Sequence, residues 1–339
     1  MIRFLENWAL KPYNTFGVEA RARYFFEFTE PEDLEYFVQD SLFREELPLF
    51  ILGGGSNVLF LNDFDGLVLY PKIPGIAKID ENRQHVWLDV GAGEVWDEFV
   101  EFCVNNEWGG IENLSLIPGS VGAAPVQNIG AYGQEAGDAV ERVKGYDLQQ
   151  KKRMEFLTGG CSFGYRDSVF KRELKNRFVI TSVVFRLEKF PEYNLSYGRL
   201  EEKVKSFGEV NMQNIRKAVI DIRNSKLPDV RDLANGGSFF KNPVVDIGFA
   251  ETLRKKFPDV PVYSLPGEKA KLSAAWLIDK AGWKGRREGD IGVYEKQPLV
   301  LVNYGNATGK DIFEFSEKIK NSVFEKFKVS LEREVNCVA

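Results

Sequence analysis

The chain has 339 residues, 44% of them hydrophobic and 28% charged, and a net charge of −5. This length predicts two or three domains, and the composition is that of a globular protein without a strongly basic nucleic-acid-binding surface. The longest apolar runs are too short to cross a bilayer, and residues 1–6 do not have the pattern of a signal peptide.

Three cysteines and one histidine limit the chemistry available to this sequence. Cys103, Cys161 and Cys337 are far apart, which predicts neither a disulfide framework nor a metal site and favours a reducing cytoplasm. His85 lies in a polar segment and is expected to be a solvated turn residue. A Ser–His or Cys–His nucleophile is therefore not expected, and acid–base chemistry would depend on other side chains or a cofactor.

A glycine cluster is the first candidate binding feature. After a helix predicted from Pro31, residues 49–52 and 58–61 are typical of strands and enclose Gly53-Gly54-Gly55-Ser56-Asn57. Successive backbone N–H groups in such a turn can bind a pyrophosphate. The motif is neither a P-loop, since Gly-Lys-Ser/Thr is missing, nor a Rossmann fingerprint, since no helix follows. An ordinary glycine turn explains it equally well.

A second candidate follows further predicted strands and an amphipathic helix that contains Trp96 and Phe99. Residues 113–133 are rich in glycine and other small residues and almost uncharged. This composition suits a backbone wall against a flat, uncharged ligand, and the alternative is a long structureless loop. We favour the wall, because loops of this length inside a compact domain are usually functional.

Between predicted strands, Tyr165, Arg166 and Asp167 place a phenol, a guanidinium and a carboxylate side by side. Arg166 could form a structural ion pair, which is the commoner fate of an arginine, or clamp a substrate carboxylate with two hydrogen bonds. The predicted strands that surround this motif are residues 143–148, 153–157 and 178–187.

The C-terminal part begins after a helix predicted at 212–224, with a domain boundary near Lys226. A capping box at Thr308 predicts the start of a long helix. The chain then closes on a predicted strand at 329–335, in which Glu332 and Glu334 alternate with apolar residues and could be solvated edge charges.

The stretch Gly236-Gly237-Ser238-Phe239-Phe240-Lys241-Asn242-Pro243 combines flexible glycines, a hydroxyl, two aromatic anchors, a cation and an amide. Alone, it is typical of a Gly-Gly-Ser turn before a short buried strand. A functional interpretation of this stretch depends on its combination with the other motifs.

Together these motifs resemble those of the UDP-N-acetylenolpyruvoylglucosamine reductases, also called UDP-N-acetylmuramate dehydrogenases, in their longer type I form. Each motif is weak or moderate alone, but they occur in the family's order and cover nearly the whole chain. The matching segments are residues 14–17, 51–59, 117–123, 127–133, 163–168, 236–243 and 331–335, with the type I insertion around Tyr197.

The resemblance implies an α+β FAD-binding fold of the vanillyl-alcohol-oxidase type with a C-terminal α+β substrate-binding domain. It implies two FAD-binding subdomains at 1–70 and 71–225, which hold FAD non-covalently between them. The C-terminal domain would comprise 226–339, and its last strand could return to the active site. A cytoplasmic monomer that uses NADPH as reductant is expected.

The implied reaction converts UDP-N-acetylglucosamine enolpyruvate to UDP-N-acetylmuramate for peptidoglycan synthesis. NADPH would reduce FAD, and FAD N5 would then deliver hydride to the terminal vinyl carbon. Arg166 and Glu334 match residues that stabilise the resulting enolate, and Ser238 matches the proton donor.

The resemblance also assigns binding residues. Those expected to bind FAD are Gly53, Gly54, Gly55, Ser56, Asn57, Pro118, Gly119, Ser120, Gly122, Gln127 and Asn128. Those expected to bind the substrate are Tyr165, Tyr197, Lys226, Asn242, Lys284 and Gln297. Asn336 stands where the family usually has an arginine, and strand alternation alone does not separate Glu334 from Glu332.

Two other classes remain open at this point. A flavin oxidase of the same fold, acting on another alcohol or sugar, would use oxygen as oxidant and would not need Ser238. A nucleotide-binding protein without catalytic activity would be expected to lack Ser238, Arg166 or Glu334, yet all three are present.

Overall fold

The computed structural model describes residues 3–40, 42–43 and 45–339, which divide between two units. Unit 1 contains the described residues of 1–8, 22–54 and 65–223, and unit 2 contains 9–21, 55–64 and 224–339. Each unit is therefore assembled from three separate stretches of the chain.

The strands and helices are numbered in chain order. The strands are β1 (Arg3–Ala9), β2 (Arg21–Phe28), β3 (Leu49–Ile51), β4 (Val58–Phe60), β5 (Phe64–Pro71), β6 (Ile76–Glu81), β7 (His85–Gly91), β8 (Gly130–Ala131), β9 (Gln134–Glu135), β10 (Val140–Asp147), β11 (Lys152–Leu157), β12 (Phe178–Glu188), β13 (Ala234–Ser238), β14 (Val244–Asp246), β15 (Val262–Leu265), β16 (Lys269–Leu272), β17 (Arg287–Glu288), β18 (Ile291–Val293), β19 (Val300–Asn303) and β20 (Asn336–Val338). The helices are α1 (Pro31–Gln39), α2 (Trp96–Asn105), α3 (Ala136–Ala139), α4 (Leu200–Lys205), α5 (Met212–Lys226), α6 (Ile247–Lys256), α7 (Ala274–Lys280) and α8 (Gly309–Phe327).

Unit 1 contains a five-stranded sheet in the order β11-β10-β12-β7-β6, and most of a four-stranded sheet in the order β1-β2-β5-β3. The amphipathic pattern of α2 buries Trp96 and Phe99 against Phe185 of β12, with the Phe99 and Phe185 ring centroids 4.9 Å apart. Helix α1 begins at Pro31 as predicted and buries its apolar face in a second core cluster. These two cores support the loops that carry the motifs of unit 1.

Unit 2 contains a sheet in the order β13-β19-β18-β17, a small sheet in the order β14-β16-β15, and a parallel pair of β20 with β4. The capping box predicted at Thr308 is confirmed, because Thr308 and Asp311 exchange hydrogen bonds at the start of α8. Helix α7 is followed by Gly282, whose φ of 87° suits glycine at a helix end.

The strand predicted at 329–335 is wrong. Val329, Leu331 and Val335 are buried as their alternation suggests, but the backbone forms only an isolated bridge between Arg333 and Phe240. The strand lies later, at β20, where β4 supplies a parallel partner. His85 likewise begins β7 instead of lying in a turn, and α5 continues to Lys226.

Among the described residues, no helix is both long and apolar enough to cross a membrane. The same part of the chain contains no cluster of three or more histidine, cysteine or acidic side chains that could hold a metal ion.

Candidate active site

The glycine cluster forms the turn between β3 and β4. In unit 1, a Cβ on Gly54 would lie 2.6 Å from the Cα of Gly119, and a Cβ on Gly53 would lie 2.8 Å from the Cβ of Ala123. Both distances are shorter than any real contact, so these positions require glycine. The turn thus packs closely against the loop that carries the predicted Gly119 and Ser120.

The backbone N–H groups of Gly53, Gly54 and Gly55 donate no hydrogen bond to any described residue. Gly55 is buried and has a φ of +66°. Gly53 is half-buried and Gly54 is exposed, so the three successive N–H groups without a protein acceptor form a turn of the kind that binds an anion. The donor set fits the pyrophosphate of FAD.

The loop at 118–123 is fixed by its backbone to residues 92–96. Gly119 O accepts a hydrogen bond from Trp96 N at 3.0 Å, and Gly122 N donates to Ala92 O at 2.9 Å. A Cβ on Gly122 would lie 2.6 Å from the Cβ of Ala92. Gly122 is thus required for packing, Pro118 is exposed, and the other predicted residues of this loop are half-buried.

Asn128 is fully enclosed, and its side chain is occupied within the protein. Its Nδ2 donates to Glu135 Oε2 at 2.6 Å and to Gly164 O at 3.1 Å, while its Oδ1 accepts from Gly137 N at 2.8 Å. The asparagine therefore fastens its own loop to the turn that carries Arg166. Gln127, next to it, is half-buried.

Tyr165 and Arg166 form the tip of a tight turn closed by two hydrogen bonds between the backbones of Gly164 and Asp167. Arg166 has a φ of 56°, which is unusual for a residue other than glycine. Its Nη2 donates to Gly130 O at 2.6 Å, and its guanidinium lies 5.5 Å from the Tyr165 ring centroid. The backbone conformation and the carbonyl contact together hold this guanidinium in place.

The base of the loop that carries Tyr197 is held by a latch formed by Asn113, Tyr132 and Asn194. The buried Asn113 donates through Nδ2 to Tyr132 O at 2.9 Å and to Asn194 O at 2.8 Å. Tyr197 itself is exposed, and its ring contacts Tyr132 edge-on, with centroids 5.8 Å apart. Burial raises the pKa of Tyr132, which keeps that phenol neutral.

In unit 2, Ser238 ends β13 and pairs with Val300 of β19, after a bulge at the two glycines. A Cβ on Gly236 would lie 2.3 Å from the ring of Phe16, and Gly237 has a φ of +68°. Phe239 and Phe240 are buried beyond the serine. The glycines therefore lie inside the strand, where the sequence suggested a preceding turn, and the half-buried Ser238 stands on a rigid support.

Glu334 and Glu332 have different surroundings. Glu332 pairs with Lys241 and its side chain is 72% exposed. Glu334 is half-buried, its N–H donates to Phe239 O at 2.8 Å, and its carbonyl accepts from Asn57 Nδ2 at 3.2 Å. The geometry of unit 2 thus joins Glu334 to both the segment after Ser238 and the predicted Asn57.

The positions of the other predicted substrate-binding residues say less about how they would bind a ligand. Asn242 uses its Oδ1 to accept a hydrogen bond from Ala274 N at 2.9 Å, at the start of α7. Gln297 is half-buried beside Leu299, whereas Lys226 and Lys284 are exposed. Sequence reasoning included Asn113 in the stretch 113–133 but missed its hydrogen bonds to Tyr132 and Asn194, because no local pattern shows which loops a buried amide connects.

No thiol is suited to nucleophilic chemistry. Burial raises the pKa of Cys161 to about 12 and also raises the pKa values of Cys103 and Cys337. The three thiols are therefore protonated at neutral pH.

Two models of known protein families match parts of the chain. Residues 22–150 match the model of an FAD binding domain, which makes this a protein of the FAD-binding class. Residues 229–338 match the UDP-N-acetylenolpyruvoylglucosamine reductase C-terminal domain. A reductase of that name from Amoebophilus asiaticus is 45% identical over 98% of both chains, and one from Neisseria gonorrhoeae is 45% identical over 96% of this chain and 95% of its own. The chain belongs to the UDP-N-acetylenolpyruvoylglucosamine reductase family.

A solved structure agrees with this fold. The UDP-N-acetylenolpyruvylglucosamine reductase of Thermus caldophilus superimposes with a TM-score of 0.68 at 24% identity, covering 100% of this chain and 99% of its own. The predicted family, the α+β FAD-binding fold with its C-terminal domain, and FAD as cofactor are confirmed. The roles of individual site residues and the domain limits stay predictions.

Proposed function

We propose that this protein reduces UDP-N-acetylenolpyruvoylglucosamine to UDP-N-acetylmuramate with NADPH as reductant. The observation that carries the proposal is the 45% identity to a reductase of that name over 98% of both chains. Family membership supports an oxidoreductase acting on a CH–CH group more strongly than an oxidase for another alcohol or sugar. The three residues proposed for the chemistry, Ser238, Arg166 and Glu334, are all present.

FAD, when bound, accepts hydride from NADPH and supplies it to the substrate. The N–H groups of residues 53–57 would bind its pyrophosphate, and residues 118–122 and 127 would line its remaining surface with backbone and small side chains. Asn128 would act through the loop it fastens, because its side-chain groups are hydrogen-bonded to Glu135, Gly164 and Gly137.

Arg166 and Glu334 would stabilise the charge that develops on the substrate. Hydride addition to the terminal vinyl carbon moves the electron pair of the double bond toward the adjacent carbon and the carboxylate. The fixed guanidinium of Arg166 can hydrogen-bond that carboxylate more strongly as its charge grows. Glu334 would assist through a hydrogen bond to the substrate, and its half-buried position favours it over the exposed Glu332.

Ser238 would donate the proton to the carbon next to the carboxylate. A serine hydroxyl is a weak acid, but a carbanionic centre is a strong base, so correct positioning matters most. The anchoring of β13 by Phe239 and Phe240 supports such positioning.

The substrate's uridine diphosphate group would be bound by Tyr197, Lys226 and Asn242, with Tyr165 beside the reacting group. Lys284 and Gln297 are further candidates for contact with the nucleotide.

We also propose a cytoplasmic monomer that binds no nucleic acid, and domain limits at 1–70, 71–225 and 226–339. The cytoplasm is the compartment that supplies NADPH.

The proposal is tested by separating the two half-reactions. Under nitrogen, NADPH should bleach the flavin absorbance of the purified protein, and the enolpyruvyl substrate should restore it rapidly. Ser238→Ala should leave bleaching nearly intact and slow reoxidation by roughly 100-fold or more, because only the second step needs the proton donor. Arg186→Gln, an exposed change on β12, is the control and should alter neither step.

Two results would contradict the proposal. Reoxidation by oxygen but not by the enolpyruvyl substrate would indicate the oxidase. Equal slowing of both half-reactions by Ser238→Ala would exclude the serine as the specific proton donor.

A further inference from the structure

Asn57, the last residue of the glycine turn, is hydrogen-bonded to the segment 334–336 through both its side chain and its backbone. Its Nδ2 donates to Glu334 O at 3.2 Å. Its carbonyl oxygen accepts from Asn336 N at 3.1 Å and from Asn336 Nδ2 at 3.3 Å. All of these residues belong to unit 2, where β20 continues beside β4. The turn and the end of the chain are thus joined at one asparagine.

The backbone of Glu334 is held on both sides. Its N–H donates to Phe239 O at 2.8 Å, and its carbonyl accepts the hydrogen bond from Asn57 Nδ2. Val335, the next residue, is buried, and Phe239 directly follows Ser238. Because a side chain starts from its own backbone, these two bonds limit the positions that the Glu334 carboxylate can reach. One bond comes from the segment after the serine and the other comes from the glycine turn.

Gly55 lies in the same turn, two residues before Asn57. Its backbone N–H belongs to the set that donates to no acceptor among the described residues. Its conformation is strongly constrained, because φ is +66° and a Cβ would lie 1.9 Å from the carbonyl oxygen of Tyr13. An anion bound by these donors would therefore fix the path of the chain from Gly55 to Asn57, and with it the direction of the Asn57 amide.

We propose that Asn57 is a positioning residue that couples FAD binding at the glycine turn to the placement of Glu334. The inference rests on the proposed function, because it takes the turn as the pyrophosphate site and Glu334 as a residue that stabilises the enolate. In the holoenzyme the turn is fixed around the pyrophosphate, and the Asn57 amide then holds the carbonyl of Glu334. Without the cofactor the turn is less restrained, and the carboxylate is held less firmly. The substrate site is therefore completed only when FAD is bound.

The size of this coupling is limited by the single side-chain hydrogen bond. A bond of this kind shifts an equilibrium by up to about tenfold. Linkage requires the same factor in both directions, so a contact that FAD binding strengthens must also strengthen FAD binding. Asn57→Ala leaves both bonds accepted by the carbonyl of residue 57 in place. We therefore expect this variant to bind FAD more weakly by about tenfold or less.

The first test measures hydrogen exchange in the full chain with and without FAD and needs no substrate. In the wild type, FAD should slow exchange at residues 334–336 by roughly tenfold. In Asn57→Ala at saturating FAD, this protection should fall to about twofold or less, because the side-chain link is missing. Residues 316–323 of α8 lie in the same unit and are the internal reference, since FAD should affect their exchange equally in both proteins.

The second test measures the two half-reactions of the holoenzyme at saturating FAD. Asn57→Ala should keep bleaching by NADPH within about twofold of the wild type and slow reoxidation by the enolpyruvyl substrate roughly tenfold, because only the second step uses Glu334. In a Glu334→Gln background, Asn57→Ala should slow reoxidation no further, because the amide acts through that carboxylate. A merely structural role would not confine the effect to one half-reaction or make it depend on residue 334.

Two further variants keep the tests decisive. Asn336→Ala is the matched control, because it removes one hydrogen bond to the Asn57 carbonyl and leaves the bond from Asn57 to Glu334. It should change exchange protection and reoxidation by about twofold or less. Asn57→Ser, whose hydroxyl ends one bond short of the amide nitrogen, replaces Asn57→Ala if the latter does not fold, and the same results are expected of it.

Three outcomes would overturn the inference. Equal FAD-dependent protection of residues 334–336 in the wild type and Asn57→Ala would show that the link carries no coupling. A loss of FAD affinity above about 100-fold with unchanged reoxidation would make Asn57 a direct ligand of FAD. Additive slowing in the Glu334→Gln background would mean that the amide acts by another route.

Failure of the proposed function is distinguishable from failure of this inference. If the enolpyruvyl substrate did not reoxidise the wild-type flavin, the proposed function would fail, whereas the exchange measurement would still decide whether FAD binding is coupled to the segment 334–336. If the substrate reoxidised the wild type and Asn57→Ala at the same rate, only the role of Asn57 would fail.

Discussion

Gly236 and Gly237 are neighbours in β13, yet they are glycine for different reasons. A side chain at Gly236 would collide with the buried ring of Phe16, whereas a side chain at Gly237 would meet nothing within 4 Å. Gly237 instead needs its left-handed φ of +68°. Gly236 is therefore required for packing against Phe16, and Gly237 is required for the bulge before Ser238.

This difference predicts unequal effects of alanine. Gly236→Ala should lower the free energy of unfolding by about 3 kcal/mol, because the Phe16 ring must move within a packed core. Gly237→Ala should cost about 1 kcal/mol of backbone strain. Urea unfolding measures both, and a loss at Gly237 equal to that at Gly236 would contradict the assignment of the clash.

Residue-scale features also show which predictions depended on local signals. The glycine cluster and the Tyr165–Arg166 turn could be found because their residue types are unusual in sequence. The hydrogen bonds of Asn113 could not, because they join residues 19 and 81 positions away along the chain. Only the folded chain shows which loops this buried amide connects.

At the scale of elements, α8 and the strand predicted at 329–335 show the same difference. A feature with a local sequence signal can be predicted, whereas one that depends on a distant partner cannot. Helix α8 was predictable, because both halves of its capping box lie within four residues. The alternation at 329–335 correctly indicated buried side chains, but strand formation depends on a partner. That partner, β4, pairs instead with β20, whose sequence Asn-Cys-Val has little strand character.

The latch of Asn113, Tyr132 and Asn194 links two loops through one buried amide. Asn113→Ala removes both donated hydrogen bonds and should cost about 2 kcal/mol of stability. Hydrogen exchange at residues 193–198 should rise by roughly tenfold or more, because the loop base loses its attachment. Asn106→Ala, which changes an exposed asparagine after α2, is the control. Unchanged exchange in Asn113→Ala would mean that other contacts hold the loop.

At the scale of the whole molecule, unit 2 is assembled from three stretches of chain. Residues 9–21 supply Phe16, which packs against Phe239 with ring centroids 6.0 Å apart. Residues 55–64 supply β4 and the backbone of Phe60, against which Gly309 is packed. The longest stretch, 224–339, therefore contains only part of its own core.

A fragment of residues 224–339 should accordingly fail to fold by itself. We expect no cooperative thermal transition and little near-ultraviolet circular dichroism, because β20 lacks its parallel partner and the aromatic cluster at Phe239 is open. The full chain, measured under the same conditions, is the control. A cooperative transition in the fragment would show that the shorter stretches are dispensable for the core of unit 2.

Because β4 and β20 are far apart in the sequence, the ribosome makes β4 long before the strand that pairs with it. Asn57 and Asn336, which join the two strands at one end, are 279 residues apart. A ribosome adds about 5 to 20 residues per second, so β4 would wait roughly 15 to 60 s for its partner to emerge. During that interval its apolar Val-Leu-Phe edge can pair with other nascent chains. We therefore expect a chaperone that binds this newly made segment to protect the nascent chain.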